Sequence, residues 1–332
     1  MVAKKKSQKK PTRTKKKKSV SKKPLNKKTA RRTRSVSLSE LSNDRWVKCI
    51  LLGGKVRAIA IDATSLVRDL QKRHRLSQQA TQAVGEAAIG ALLIASYCKQ
   101  KERVNLNIQG DGAFSQALVD AYPDGSVRGY IIERKKVNYS KFSHDHGYWG
   151  SGLLSVLRTK ESEDRPYIGT VPLITGHLAK DLTFYWVQSE QIPSAVGLGV
   201  FVKGKQVKAA GGFLVQAMPG AEDAEVRMIQ QHIQNMQSFR DVMLNGSSPT
   251  QLLSEIFQDN HFTLVEERQI KFTCSCSRER VERSLALIGV EELGAIIKEE
   301  GRATVKCDFC SKEYVVEKKA LTQMIERSKK SS

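Results

Sequence analysis

No carboxylate occurs before Glu40, and that absence organises the charge of the whole chain. The 332 residues carry 56 Lys or Arg against 34 Asp or Glu, a net charge of +22. Residues 1–34 hold 17 of the basic residues, and 56 less 17 leaves 39 against 34 elsewhere. The basicity therefore belongs to a tail. This tail has little apolar surface to bury and repels itself, which predicts disorder over residues 1–44. It also lacks aromatics for base stacking and any groove-reading motif, which argues against sequence-specific recognition. Two readings stay open: a non-specific electrostatic contact of residues 1–40 with nucleic acid or ribosomes, or a solubilising tail without a dedicated partner.

Long hydrophobic runs are missing too. No stretch reaches the roughly twenty apolar residues of a membrane-spanning helix, and the longest candidate, 87–97, reads as a buried helix. No membrane partner is expected. No apolar segment follows the early lysines, so no secretory signal is read. The expected setting is cytoplasmic and reducing, with organelle targeting by the acid-free tail left open. The glycine-rich pieces GLGVFVKG and AAGGF lack the context of a phosphate cradle. His144 and His146 form an HDH pair with no third ligand in sight and read as a surface loop. Cys49 and Cys98 lie in apolar patterns and read as buried structural thiols. No catalytic constellation emerges, and no enzymatic activity is expected.

What is present is an α+β pattern. Residues 46–61 read as a β-hairpin around Gly53-Gly54, followed by helices over 62–75 and from Ser77, a candidate N-cap. The second helix is rich in Ala and Gly, which suits close packing on a sheet. Strand patterns follow at 103–110, 115–122, 126–132, 152–158, 167–173, 183–187 and 197–202, with turn signals at Gly110-Asp111-Gly112 and Pro123-Asp124-Gly125. Grouped helices and hairpin-linked strands predict a mixed main domain over 45–217 with hairpin-rich sheets, not a doubly wound sheet.

From Met218 the pattern turns helical. Ile229, Ile233, Met236, Phe239 and Met243 recur at steps of four, three, three and four, which predicts one amphipathic helix ended by Gly246. Ser248-Pro249-Thr250-Gln251 opens a second, with a capping box and Pro at its first position. Together with Met228, these apolar side chains either pack on the main domain or form a soft surface that repacks against partners.

The strongest signal is sulfur. Cys274-Ser275-Cys276 is followed, after thirty residues, by Cys307-Asp308-Phe309-Cys310. Two tight pairs are the donor set of a tetrahedral Cys₄ zinc site. The second pair is expected in a knuckle between strands 302–306 and 313–317, with two short helices between the pairs. A segment this small buries little core alone, so metal binding helps fold it. The C-x-C is tighter than most structural knuckles. Its extended Cα atoms lie about 6.7 Å apart, near the upper limit for a disulfide. Arg278, Arg280, Lys271 and Lys306 favour thiolate, the form that oxidants attack.

FTCSCSRER and VKCDFCSKEYVV resemble the zinc-binding end of the 33-kDa heat-shock protein family of redox-regulated bacterial chaperones. NIQGDGAFSQALV, SEQIPSAVGLGV and AAGGFLVQAMP resemble stretches of its main domain. The likeness runs from about residue 45 to 328 and leaves the lysine-rich start unaccounted for. It implies one Zn²⁺ per reduced chain, bound by Cys274, Cys276, Cys307 and Cys310, and oxidation to Cys274–Cys276 and Cys307–Cys310 disulfides with zinc release. It further implies a metastable helical linker at 218–270, a zinc-binding redox-switch domain at 271–328, and a homodimer when oxidised. Unfolding client proteins are then held without ATP, with Met228, Ile229, Ile233, Met236, Phe239 and Met243 as the client-binding residues.

The rival reading is a zinc-ribbon nucleic-acid-binding protein with a basic arm. It calls for a basic stripe on the folded part, whereas the chain after residue 45 is only slightly basic. A thiol oxidoreductase calls for a C-x-x-C at a helix start in a βαβ setting, not in a hairpin knuckle. Deleting residues 1–40 is expected to abolish any nucleic-acid affinity, and that of the full chain is expected to fall steeply with salt. A truncated chain that still binds in a filter or anisotropy assay contradicts this.

Overall fold

The structure, a computed structural model, describes residues 43–331 apart from 136, 140, 141, 143–146, 161–165, 237 and 259. The HDH pair and the basic tail through residue 42 lie outside the described residues. Strands β1 (Arg45–Leu51) and β2 (Val56–Asp62) form the expected antiparallel hairpin, and Gly53 and Gly54 supply its positive φ angles of 65° and 93°. Helix α1 (Thr64–His74) starts where Asp62 Oδ1 accepts from the Thr64 amide at 3.0 Å. Helix α2 (Gln78–Ala95) starts at Ser77, whose Oγ accepts from the Ala80 amide at 3.1 Å.

Three antiparallel strands follow, β3 (Glu102–Gly110), β4 (Phe114–Ala121) and β5 (Ser126–Glu133), then β6 (Gly152–Lys160) and β7 (Tyr167–Leu173). Helix α3 (Leu178–Gln188) replaces the strand expected at 183–187. Aromatic and β-branched residues suggested extension there, but Leu178, Asp181, Leu182, Tyr185 and Trp186 are buried at helical spacing. Strand β8 (Ser194–Lys203) pairs with β9 (Gln206–Ala217), a twelve-residue strand in a segment that gave no strand expectation. Its centre is buried on both faces, so it shows no alternation. Gly211 is required there, since a Cβ would lie 2.4 Å from both the Ile61 carbonyl oxygen and Met243 Cε.

Helices α4 (Asp223–Asn235), α5 (Phe239–Leu244) and α6 (Pro249–Phe257) come next, and strands β10 (Phe262–Gln269) and β11 (Lys271–Phe272) follow. The single helix expected through Met243 is thus broken at Met236, where ψ is 141°. The break lets Phe239 turn onto the sheet, with its ring 5.7 Å from that of Phe213 and 6.2 Å from that of Phe201. The predicted capping box of α6 is present, with Ser248 and Gln251 exchanging bonds of 3.3 and 2.7 Å. Helical structure ends at Phe257 rather than running to 270, because β10 finds the open edge of β1.

Two large sheets result, in the orders β10-β1-β2-β9-β8 and β11-β5-β4-β3-β6-β7, and the hairpin of residues 302–306 and 313–317 forms a separate two-stranded sheet. Helix α2 lies between them and packs on both, which explains a helix that is apolar around its circumference. Its small residues permit this: a Cβ on Gly90 would come within 2.7 Å of Leu182 Cδ1. The other face of the first sheet is covered by α4–α6. Val47, Cys49, Val56, Ala58, Phe213 and Val215 there meet Ile229, Met243, Leu252, Leu253, Ile256 and Phe257. The remaining elements are α7 (Arg278–Ala286), α8 (Val290–Glu299), β12 (Arg302–Lys306), β13 (Glu313–Glu317) and α9 (Lys318–Ser331), the last without a sequence expectation.

Glu86 interrupts the apolar surface of α2. It lines a cavity of about 460 Å³ with Gln82, Tyr148, Trp149, His177 and Arg240. By surface area it is half-buried, because it borders that cavity, yet protein atoms enclose it, and enclosure governs its ionisation. Burial pushes its carboxyl up to about 8. A folded-state pKa raised above the ordinary 4.5 means stability that is full below 4.5 and lost as pH rises toward 8. Glu86→Gln is therefore expected to raise Tm at pH 7, by about 2–4 °C per kcal/mol recovered. The gain is expected to vanish near pH 4. Equal melting of the two proteins at pH 7 contradicts this.

Candidate metal centre

Strand β11 pairs in parallel with β5 through Lys271 and Ser126, and the Thr273 amide continues the pairing to the Val127 carbonyl at 3.0 Å. This delivers Cys274-Ser275-Cys276 in extended form beside β5, before Ser277 caps α7 through the Arg280 amide. The second pair sits between β12 and β13. Its knuckle is closed by the Ser311 amide donating to the Cys307 carbonyl at 2.8 Å and the Cys307 amide to the Lys312 carbonyl at 2.9 Å. Ser311 takes the left-handed φ of 59° that this turn demands.

The four sulfurs converge. Cys274 Sγ lies 3.8 Å from Cys307 Sγ, Cys276 Sγ lies 3.4 Å from Cys310 Sγ, and all four fall within 4.8 Å of one another. Tetrahedral zinc with bonds of about 2.3 Å separates its sulfurs by about 3.8 Å. The donor set and spacing fit a metal ion of that kind. All four residues are part-buried, and α7, α8 and α9 roof them through a small core of Val281, Leu285, Leu293, Ala303, Tyr314, Val316 and Leu321.

Crowded sulfurs cannot ionise alike. Burial opposes the Cys276 thiolate, yet hydrogen bonds from Tyr314 and the other three sulfurs pull the thiol down to about 7. Tyr314 Oη donates to Cys276 Sγ at 3.1 Å. Burial pushes Cys307 and Cys310 up. One charge forms readily and the next is resisted, as expected of neighbouring like charges without a cation between them.

Among the cations expected nearby, Arg280 reaches Ser275 Oγ at 2.8 Å, whereas Arg278 turns to Glu282. Sequence reasoning missed Arg128 of β5, 146 residues upstream, whose Nη1 lies 3.9 Å from Cys274 Sγ. It missed Tyr314 and His74 as well. Tyr314 alone left a trace, as an aromatic at an alternating position of the second strand.

Of the apolar residues singled out at 228–243, Ile229 and Met243 are buried. Met228, Ile233, Met236 and Phe239 are partly buried against the same cluster, so all six face the sheet. The sequence reading overlooked Leu252, Leu253, Ile256 and Phe257 of α6, which are buried more deeply. Cys49 is buried and Cys98 half-buried, and burial pushes their thiols up to about 12 and about 11, as fits structural thiols.

The family model described as Hsp33 protein matches residues 44–317. A 33 kDa chaperonin of Geobacter sulfurreducens is 37% identical over 283 residues, covering 84% of this chain and 93% of its own. One from Bacillus mycoides is 32% identical over 289 residues, covering 86% and 99%. The crystal structure of the 33 kDa chaperonin, a heat shock protein 33 homolog, from Thermotoga maritima superposes with a TM-score of 0.80. That structure is 31% identical and is covered completely by 87% of this chain. Such kinship supports a chaperone function and the α+β architecture with its terminal cysteine cluster. With its family pattern spanning both the sheets and the sulfur site, the chain belongs to the Hsp33 protein family.

Proposed function

We propose that this chain is an ATP-independent holdase switched on by oxidation of Cys274, Cys276, Cys307 and Cys310, the ligands of one Zn²⁺ in the reduced state. The observation that carries this reading is the convergence of four sulfurs, from two separate elements, within 4.8 Å. Zinc supplies a tetrahedral template that holds together a module with little core of its own. Ligation keeps each sulfur as thiolate, the form a peroxide attacks. Two peroxide molecules accept four electrons from the four thiolates. Both O–O bonds break, two S–S bonds form, and with four protons the oxygen leaves as four waters. Sulfurs so bonded no longer ligate metal.

Following what the family resemblance implies, we assign the bonds within each motif, Cys274–Cys276 and Cys307–Cys310. Cys274 and Cys307 approach closely, as do Cys276 and Cys310, but they are 33 and 34 residues apart in sequence. Bonds between the motifs close long loops and stabilise the module. Bonds within a motif leave its two arms free to separate, which release requires.

The domain at 271–328 then unfolds, and the linker at 218–270 leaves the main domain at 45–217. Its departure uncovers Met228, Ile229, Ile233, Met236, Phe239 and Met243 on one side and the apolar sheet on the other. Both surfaces hold unfolding clients, and the oxidised chain dimerises. Reduced protein is expected to carry one zinc per chain and to leave a heat-unfolded client unprotected. Peroxide with mild heat is expected to release the zinc and suppress client aggregation. Metal analysis finding no zinc, or light scattering unchanged by oxidant, contradicts the reading.

A further inference from the structure

Chemistry at residues 274–310 has to reach helices at 223–257, and the sulfurs alone do not say through which contact. Arg128 stands at the junction. Its Nε and Nη2 donate to Asp120 Oδ2 at 2.9 and 2.7 Å, and this pair is nearly enclosed, with side-chain exposures of 12% and 3%. Nη1 faces the sulfur site, donating to Ser275 Oγ at 3.1 Å and lying 3.9 Å from Cys274 Sγ. The guanidinium also lies over the Phe309 ring, 4.1 Å from its centroid, and Tyr130 meets that ring edge-on at 5.2 Å. One main-domain side chain thus touches both the C-x-C run and the C-x-x-C knuckle.

His74, the last residue of α1, completes the seat. Its Nε2 lies 3.0 Å from the Phe309 carbonyl, which can only accept, so Nε2 carries the proton. Nδ1, 3.0 Å from Ser311 Oγ, is then the acceptor. Beyond these contacts, the described link from the module back to β5 is the two-residue strand β11 and the Thr273 amide. Strand β10 precedes it and follows α6 directly.

We propose that Arg128 is the positioning residue that clamps the reduced sulfur site to the main domain, with Phe309 as its counterpart on the knuckle, and that the clamp opens when the sulfurs are consumed in disulfides. This rests on the redox reading above. Four thiolates around one divalent cation leave about two net negative charges beside Arg128. A planar guanidinium ion-paired on one edge still presents donors in fixed geometry on the other, whereas the rotatable ammonium of a lysine offers no such two-edged fork. Oxidation by two peroxides, balanced as above, removes that charge. Closing the Cys307–Cys310 bond moves the residues between them, and Phe309 is one of the two. Charge attraction and ring contact are therefore lost in the same step.

The test uses full-length, reduced, zinc-loaded protein carrying Arg128→Lys, Phe309→Ala, Phe309→Tyr, or the first two together. Arg128→Lys keeps a cation for Asp120; should it fail to fold, the Phe309 variants carry the comparison. Zinc content and chelator competition are read first, then hydrogen exchange over 223–257 and the rate of aggregation suppression after a fixed peroxide dose. Zinc content is expected to match the parent, and zinc affinity to fall by no more than roughly fivefold, since the coupling is reciprocal. Arg128→Lys and Phe309→Ala are each expected to speed exchange over 223–257 and activation roughly fivefold, the scale of one lost cation–π contact. Phe309→Tyr is expected to behave as the parent, and the double variant no worse than either single, because one contact is shared. Single variants indistinguishable from the parent, additive effects in the double, or zinc loss from the single variants overturns the clamp. A parent that ignores peroxide defeats the redox reading instead, while exchange in the reduced variants still decides the clamp.

Discussion

Four sulfur atoms held within 4.8 Å of one another are the constraint on which the rest depends. Two like charges about 4 Å apart repel by about 4 kcal/mol even at an effective dielectric of 20. The cluster is therefore untenable as four bare thiolates, and burial and hydrogen bonding already set its members apart, pushing Cys310 up and drawing Cys276 down. A divalent cation removes that conflict. The same crowding is a hazard under oxidation, since sulfurs close enough to share a metal are close enough to bond to each other. The surrounding module adds little independent support, with Val281 and Leu285 each 9% exposed in its small core. On the proposed reading, its fold is tied to the state of its sulfurs more than to its packing.

The segment before it is weakly held in a graded way. Helix α4 fully buries only Ile229, and α5 is six residues long. Helix α6 is better anchored, by Leu252, Leu253, Ile256 and Phe257. Local stability should follow that gradient. The sheet beneath is different. Its reverse face rests on α2 and the large core, to which the linker and the cysteine module add only Ile270 and the partly buried Phe272 among the described residues. Removing α4–α6 thus leaves an ordered apolar sheet rather than a collapsed chain. That is a holding surface of fixed shape, as the proposed holdase function would use.

Local signals were legible wherever one residue type dictates local geometry. Ser77, Ser248 and Gly53-Gly54 announced their caps and turn, and the strands flanking the C-x-x-C were readable at 302–306 and 313–317. Tertiary context decided the rest. Residues 183–187 are strand-like in composition but helical, because their buried positions follow a period near 3.6. Strand β9 hid behind its glycines, which are there because Met243 and Ile61 press on Gly211. The break at Met236 was invisible because the apolar spacing continues across it. In the candidate site, the four cysteines carried their own spacing. Arg128 and His74 could not be read, since β5 and α1 meet the cysteines only after both sheets are assembled.

The most direct measurement is hydrogen exchange followed by mass spectrometry on reduced, zinc-loaded chain before and after peroxide with mild heat. The sulfur-controlled account predicts that protection is lost together over 278–317 and 223–257, while α2 at 78–95 keeps its protection. Linker helices that remain protected after the cysteine module has opened would contradict it.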